Sequence, residues 1–201
     1  MTASVSRMQT SRPCPEEMIA VAVQAAQAAQ AGAGDALTAV LDALPAAIYV
    51  TDREGVITHF NRACVALAGR TPTAGRDRWC VTWRIYTTDG EALPHDRCPM
   101  AVAIREGREL RGQEAVAERP DGTRVRFTPY PTPLFDADGE LVGAVNLLVD
   151  VTKRRRLDYL REQARRCRRL AASVDHGATA ATLSEMADEY DAQAAQLGGA
   201  H

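Results

Sequence analysis

Aromatic side chains are scarce in this chain, with three Phe, two Trp and five Tyr among 201 residues. Its interior must therefore draw on aliphatic residues and on alanine, which buries little area per residue. Long apolar runs are missing too. None approaches the roughly 20 residues needed to cross a bilayer, and the first residues lack the basic-then-apolar pattern of an export signal. A soluble, cytoplasmic protein without membrane contact is expected. Neither charge sign dominates: 24 Lys and Arg against 26 Asp and Glu leave a net charge of −2. Such a balance exerts no global pull on nucleic acid. Cys14, Cys64, Cys80, Cys98 and Cys167 show no CxxC pairing. An odd, unpatterned set argues against a disulfide framework and against structural zinc. No P-loop, GxSxG, HExxH or Rossmann glycine pattern is present. His59, His95, His176 and His201 are widely separated. No catalytic set and no metal site are predicted, so the chain is not expected to be an enzyme.

What is present is a regular alternation of short strands and helices. Residues 1–15, with Ser, Thr, Arg and two prolines, are expected to be disordered. A helix then starts at Pro15-Glu16-Glu17, where proline and acids suit a first turn. Its apolar stripe of Met18, Ile19, Ala22, Ala25, Ala26 and Ala29 can cover the chain's own sheet or pair with a second copy. Gly32–Gly34 break it, and a second helix over 36–43, capped by Asp35, ends before Pro45. Residues 48–51 and 56–60, joined by Asp-Arg-Glu-Gly, read as a β-hairpin. Asn61 is a candidate N-cap for a helix over 61–68. Within it Cys64 reads as a small core residue.

Further on, Trp79, Cys80, Trp83, Ile85 and Tyr86 concentrate much of the aromatic content in eight positions. Such a cluster is either a core plug or the lining of a ligand pocket. A helix over 99–106 begins with Pro99 and stops at Gly107. Three long strands are predicted over 109–118, 124–133 and 141–151. Pro129, Pro131 and Pro133 place half of the middle one at an edge or bulge. The chain closes with a basic amphipathic helix after Lys153 and an acidic one over 179–197. The two compensate each other as a helical hairpin, an alternative to nucleic-acid or lipid contact by the basic helix.

Several of these pieces carry a resemblance. Ala47-Ile48-Tyr49-Val50-Thr51-Asp52, Gly55-Val56-Ile57, Phe60-Asn61-Arg62-Ala63, Arg119-Pro120-Asp121-Gly122-Thr123 and Gly139-Glu140-Leu141-Val142-Gly143, ending in Asp150-Val151-Thr152-Lys153-Arg154, resemble a PAS domain, the small bacterial sensor module. The stretch TWRIYTTDGEALPHDRCPMAVAIREGRELRG is similar to PAS domains attached to HWE-type sensor histidine kinases. The resemblance implies an α+β fold: a five-stranded antiparallel sheet with helices on one face, over residues 45–152. N-terminal helices over 16–44 and the hairpin over 153–201 flank it.

The resemblance also implies a pocket bordered by the helix over 99–106. Trp83, Tyr86, Cys98, Met100, Ile104 and Asn146 are its candidate ligand-binding residues. Asn146 is a buried amide in need of a partner, which a ligand, a neighbouring side chain or an outward position could supply. His95 and Cys98, the latter in a Cys-Pro pair, are the candidate haem ligands. A covalent flavin photocycle is not expected, because Cys80 lies in Arg-Trp-Cys-Val rather than Asn-Cys-Arg-Phe. The chain lacks the phosphoacceptor helix and ATP motifs that follow the domain in kinases. The expectation is a homodimeric sensor or adaptor that signals by binding a partner protein, such as a histidine kinase or response regulator. A haem-based gas or redox sensor and a ligand-free interaction module are the alternatives.

Overall fold

The computed structural model describes residues 13–30 and 34–199; most of the segment expected to be disordered, and the Gly32–Gly34 break save Gly34, lie outside them. Two compact units emerge, one ending at Val149 and the other beginning at Asp150.

In the first unit, α1 (Pro15–Ala28) opens with a capping box in which Cys14 Sγ accepts from the Glu17 N–H and the Glu17 carboxylate accepts from the Cys14 N–H. Satisfying these orphan donors sets the helix start. After α2 (Gly34–Ala43), β1 (Ala47–Asp52) and β2 (Ile57–Phe60) form the expected hairpin. Its turn requires Gly55, at φ 79°, because a Cβ there would sit 2.2 Å from the Trp79 ring. Next come α3 (Arg62–Ala68), β3 (Arg84–Tyr86) and α4 (Pro99–Glu106), then β4 (Ala115–Glu118), β5 (Arg124–Phe135) and β6 (Leu141–Asp150).

The sheet has six strands in the order β2-β1-β6-β5-β4-β3, one more than expected. The addition is β3, three residues paired antiparallel with β4 at the sheet edge. It lies inside the aromatic cluster, too short for an alternation to show. The expected strand over 109–118 shrinks to its last four residues, because Gly112 takes a left-handed φ of 74° just before it. The prolines of β5 behave as expected. Its ladder with β4 spans only Arg124–Phe127, so residues 129–133 lie beyond it.

Helices cover both faces of this sheet, not one. On the inner face, α3 and α4 enclose Tyr49, Ile57, Cys64, Met100, Phe127 and Leu148. On the outer face, α1 and α2 lay Met18, Ile19, Ala22, Leu37 and Leu41 against Ile48, Val50, Val145 and Leu147. Alternating residues of β1 and β6 thus serve two cores, as the period of two dictates. Each fully buried aliphatic side chain contributes about 1.5–3 kcal/mol. The stripe of α1 is used on its own sheet, which removes the basis for treating it as the dimer contact.

One side chain joins these layers. The Asn61 amide, 1% exposed, accepts from the Ile48 N–H at 3.0 Å and the Cys64 N–H at 3.2 Å. It donates to the carbonyls of Leu41 and Ala46, both at 2.8 Å. It is the N-cap the sequence predicted, and also the knot between α2, β1 and α3. At the other end of α3, Arg119 donates to the Leu67 and Ala66 carbonyls at 3.0 and 2.9 Å.

The second unit consists of α5 (Thr152–Ser173) and α6 (Gly177–Gly199), packed on each other through Leu160, Ala164, Cys167, Ala187 and Ala194. Gly177 opens α6. Compensation between the helices runs through Arg168, which pairs with Asp188 at 3.1 Å and Asp191 at 2.6 Å. Glu162 instead pairs along its own helix with Arg165 and Arg169.

Substituting Asn61 tests the knot. Asn61→Ala strands buried carbonyls and N–H groups on three elements and should cost about 2–4 kcal/mol. Asn61→Asp keeps the two acceptor contacts, loses both donations and buries a charge, so it should not restore stability. Urea denaturation of both variants measures this. A loss below about 1 kcal/mol for Asn61→Ala would show that the layers hold without the amide.

Candidate functional site

The residues predicted to bind ligand separate into two groups. Cys98, Met100, Ile104 and Asn146 lie in the inner core, between 0% and 6% exposed. Trp83 and Tyr86 lie at the sheet edge with β3, and Trp83 is 44% exposed.

The inner core is crossed by a chain of polar contacts. The Tyr130 N–H donates to Asn146 Oδ1 at 3.0 Å, and Asn146 Nδ2 donates to the Tyr49 hydroxyl at 3.0 Å. That hydroxyl donates to the Trp79 carbonyl at 2.8 Å. Tyr49 and Asn146 face each other in register across β1 and β6, which brings the two groups together. The Asn146 amide therefore has protein partners at both ends, one of the alternatives open from sequence. Tyr49, absent from the predicted set, is a fully buried phenol whose only visible signal was its place on a strand.

Trp79 closes this chain in a conformation that non-glycine residues rarely adopt, with φ at 67°. Three contacts hold it there. Its N–H donates to the Gly55 carbonyl at 2.7 Å, its ring covers Gly55, and its carbonyl takes the Tyr49 proton. Strain of this kind persists only where the surroundings over-determine it.

Three thiols stand around Tyr49. Burial pushes the Cys64 and Cys80 thiols up and lifts Cys98 from 9.0 to about 12. Burial likewise raises the Tyr49 phenol, with Cys80 and Cys98 adding to the shift and Asn146 opposing it. Cys98 Sγ leans toward the Trp79 carbonyl at 3.8 Å. Cys98 thus lies inside the core, its thiol held protonated by burial.

The edge group forms a groove of about 350 Å³ along β3 and the segment 92–95. Ile85 and Leu93 line it and also pack against the inner core, so they separate the two regions. Arg84 stacks on Trp83 at 4.4 Å and Arg124 on Tyr86 at 4.5 Å, while Glu118 pairs with both arginines. His95 stands at the groove with a buried Nε2 that makes no hydrogen bond. Burial lowers its pKa, the Thr82 backbone opposing, so the imidazole is neutral near pH 7 and keeps a ring nitrogen able to bind a ligand. Of the two candidate haem ligands, His95 stands at the groove and Cys98 lies in the inner core.

The buried thiols and phenol predict a pH dependence. Their folded pKa values lie above their unfolded ones, so the proton is held more tightly in the native state. Their stabilisation is complete below about pH 9 and is lost as pH rises toward 12. Chemical denaturation at pH 7, 9 and 10.5 should show stability falling only across the alkaline pair. At pH 8, exposed Cys14 should react with a thiol reagent in seconds, whereas Cys64, Cys80 and Cys98 should react only as fast as the protein opens. Fast labelling of Cys98 in the folded protein would contradict its assigned environment.

A family profile described as PAS fold matches residues 41–156. No curated protein matches the chain. Among solved structures, similarity extends to an RNA-binding light-oxygen-voltage receptor, at 18% identity and TM-score 0.47 over 77% of this chain and 38% of the other. It extends also to the PAS domain of the fruit-fly ELK potassium channel, at 14% identity and TM-score 0.48 over 60% of this chain and 98% of that one. A third is the LOV domain of the Erythrobacter litoralis EL346 blue-light activated histidine kinase, at 22% identity and TM-score 0.42 over 54% and 98%. The chain thus spans 38% of the length of the first of these structures. With more than half of its residues inside the matched profile, and its antiparallel sheet and helices as described, this chain belongs to the PAS fold family.

Proposed function

We propose that this chain is a bacterial, cytoplasmic sensor or adaptor that binds a small molecule beside α4 and signals by protein–protein contact to a histidine kinase or response regulator. PAS membership supports a role in signal transduction. The observation that carries the ligand reading is the edge groove with the unpartnered Nε2 of His95. A ligand hydrogen-bonded there would press on Ile85 and Leu93. Behind them lie Cys98, Met100 and Ile104, and the Tyr49–Asn146 pair beyond.

Signalling in this reading is a population shift: a ligand that prefers one packing of this wall biases the sheet toward it. The covalent route outward is short, since Val151 alone separates β6 from α5. The hairpin of α5 and α6 carries exposed Tyr159, Leu170 and Met186, side chains suited to self-association or to a partner protein.

A thermal-shift screen of metabolites on the full chain tests this proposal. A binder should lose about fivefold in affinity in His95→Ala, the loss of one hydrogen bond, with the ligand-free melting temperature little changed. Equal binding by variant and parent would remove the groove from the mechanism. An absorption spectrum of the freshly purified protein decides the haem alternative, because a Soret band lost in His95→Ala would move the reading to a haem sensor. The absence of any binder would leave the interaction-module reading.

A further inference from the structure

A second cavity, of about 270 Å³, lies on the opposite face of the sheet from α4, beneath the end of α1. Its apolar wall comes from Ala26, Ala29, Leu37, Val50 and Val142. Gln30, Thr51, Asp52, Thr58 and His59 supply its polar groups. His59 pairs with Val50 across the β1–β2 hairpin, which places it on the outer face, and its Nδ1 is buried without a hydrogen-bond partner. An imidazole nitrogen left unpaired in a mostly apolar cavity costs desolvation without return. A ligand bearing one polar group would remove that cost.

Size and charge narrow the ligand. The volume falls between the ~150 Å³ apolar void that admits benzene and the ~300 Å³ at which drug-sized pockets begin. Asp52 is the one charged residue among those lining it, so an anion would meet repulsion and no counter-charge. The free nitrogen is a donor in one tautomer and an acceptor in the other. A hydroxyl serves either.

We propose that the space between α1, α2 and the outer sheet face is a binding site for a small, neutral, mostly apolar molecule carrying one hydroxyl, such as a phenol, held by His59. Such a ligand touches the two N-terminal helices and strands β1 and β6 at once. It would stabilise the docked state of those helices, independently of any ligand at the His95 groove.

Phenol and toluene are the probes, titrated into the full chain and followed by calorimetry and by the methyl resonances of Leu37, Val50 and Val142. Phenol should bind about fivefold more tightly than toluene, the difference one hydrogen bond makes. His59→Leu should bring phenol down to the toluene level and leave toluene within about twofold. Ala29→Leu, which fills the cavity from its rim, should abolish both, with circular dichroism confirming the fold. His95→Ala should change neither. Absence of binding by the parent chain, binding without shifts at those three methyls, or phenol binding unaltered in His59→Leu would each overturn the proposal.

Discussion

The buried amide of Asn61 is the contact on which the first unit depends. Its four hydrogen bonds reach the end of α2, the approach to β1, the first residues of β1 and the first turn of α3. No apolar contact could do this, because the groups concerned are main-chain donors and acceptors that the change of direction leaves unpaired. Burial makes each of them costly to strand, and the amide meets two acceptors and two donors with its full complement. The outer-face helices and the inner-face helix are thereby referenced to the same strand. What the two cores share in sequence is the alternation of β1, and what they share in space is this side chain.

Much of the fold was legible because its signals are local. The Asp52–Gly55 turn, the Asn61 cap, the Pro99 start and Gly107 stop of α4, and the proline-marked half of β5 each follow from chemistry within a few residues. What escaped was non-local or too short. Three residues of β3 cannot display a period. The loss of strand before Ala115 came from a glycine whose left-handed φ the surrounding polar pattern did not announce. The destination of the α1 stripe could not be chosen from sequence, since the same face suits a sheet or a second copy. The candidate site was half legible for the same reason. Residue types indicated a polar interior and an aromatic cluster, but only the register of β1 against β6 brings Asn146 to Tyr49. His59 gave no signal at all, because a lone histidine on a strand has no pattern to belong to.

The distribution of polarity in the first unit separates structure from opportunity. In the inner core, the amide and phenol are consumed by one another and by Trp79, and the thiols are held protonated by burial. The two histidines with an unmatched buried nitrogen both line concavities at the margins of the sheet, one on each face. The polar groups around Tyr49 are thus matched, while the margins, where Thr51 Oγ1 is unpaired as well, hold unused hydrogen-bonding capacity. Recognition at the margins can bias the sheet without taking the interior apart.

The alternating prolines of β5 have a consequence for the protein in a crowded solution. Where β4 stops, the flank of β5 would present an open row of main-chain groups, a template on which a foreign strand could grow. At Pro129, Pro131 and Pro133 that row has no N–H to offer, and the Pro131 carbonyl is already taken by the Leu110 N–H and the Arg111 guanidinium. The same residues that keep the strand extended also make it a poor seed for aggregation. The sheet stays finite on that flank through two devices at once, the missing donors and the 110–111 segment bonded to Pro131 and Thr132.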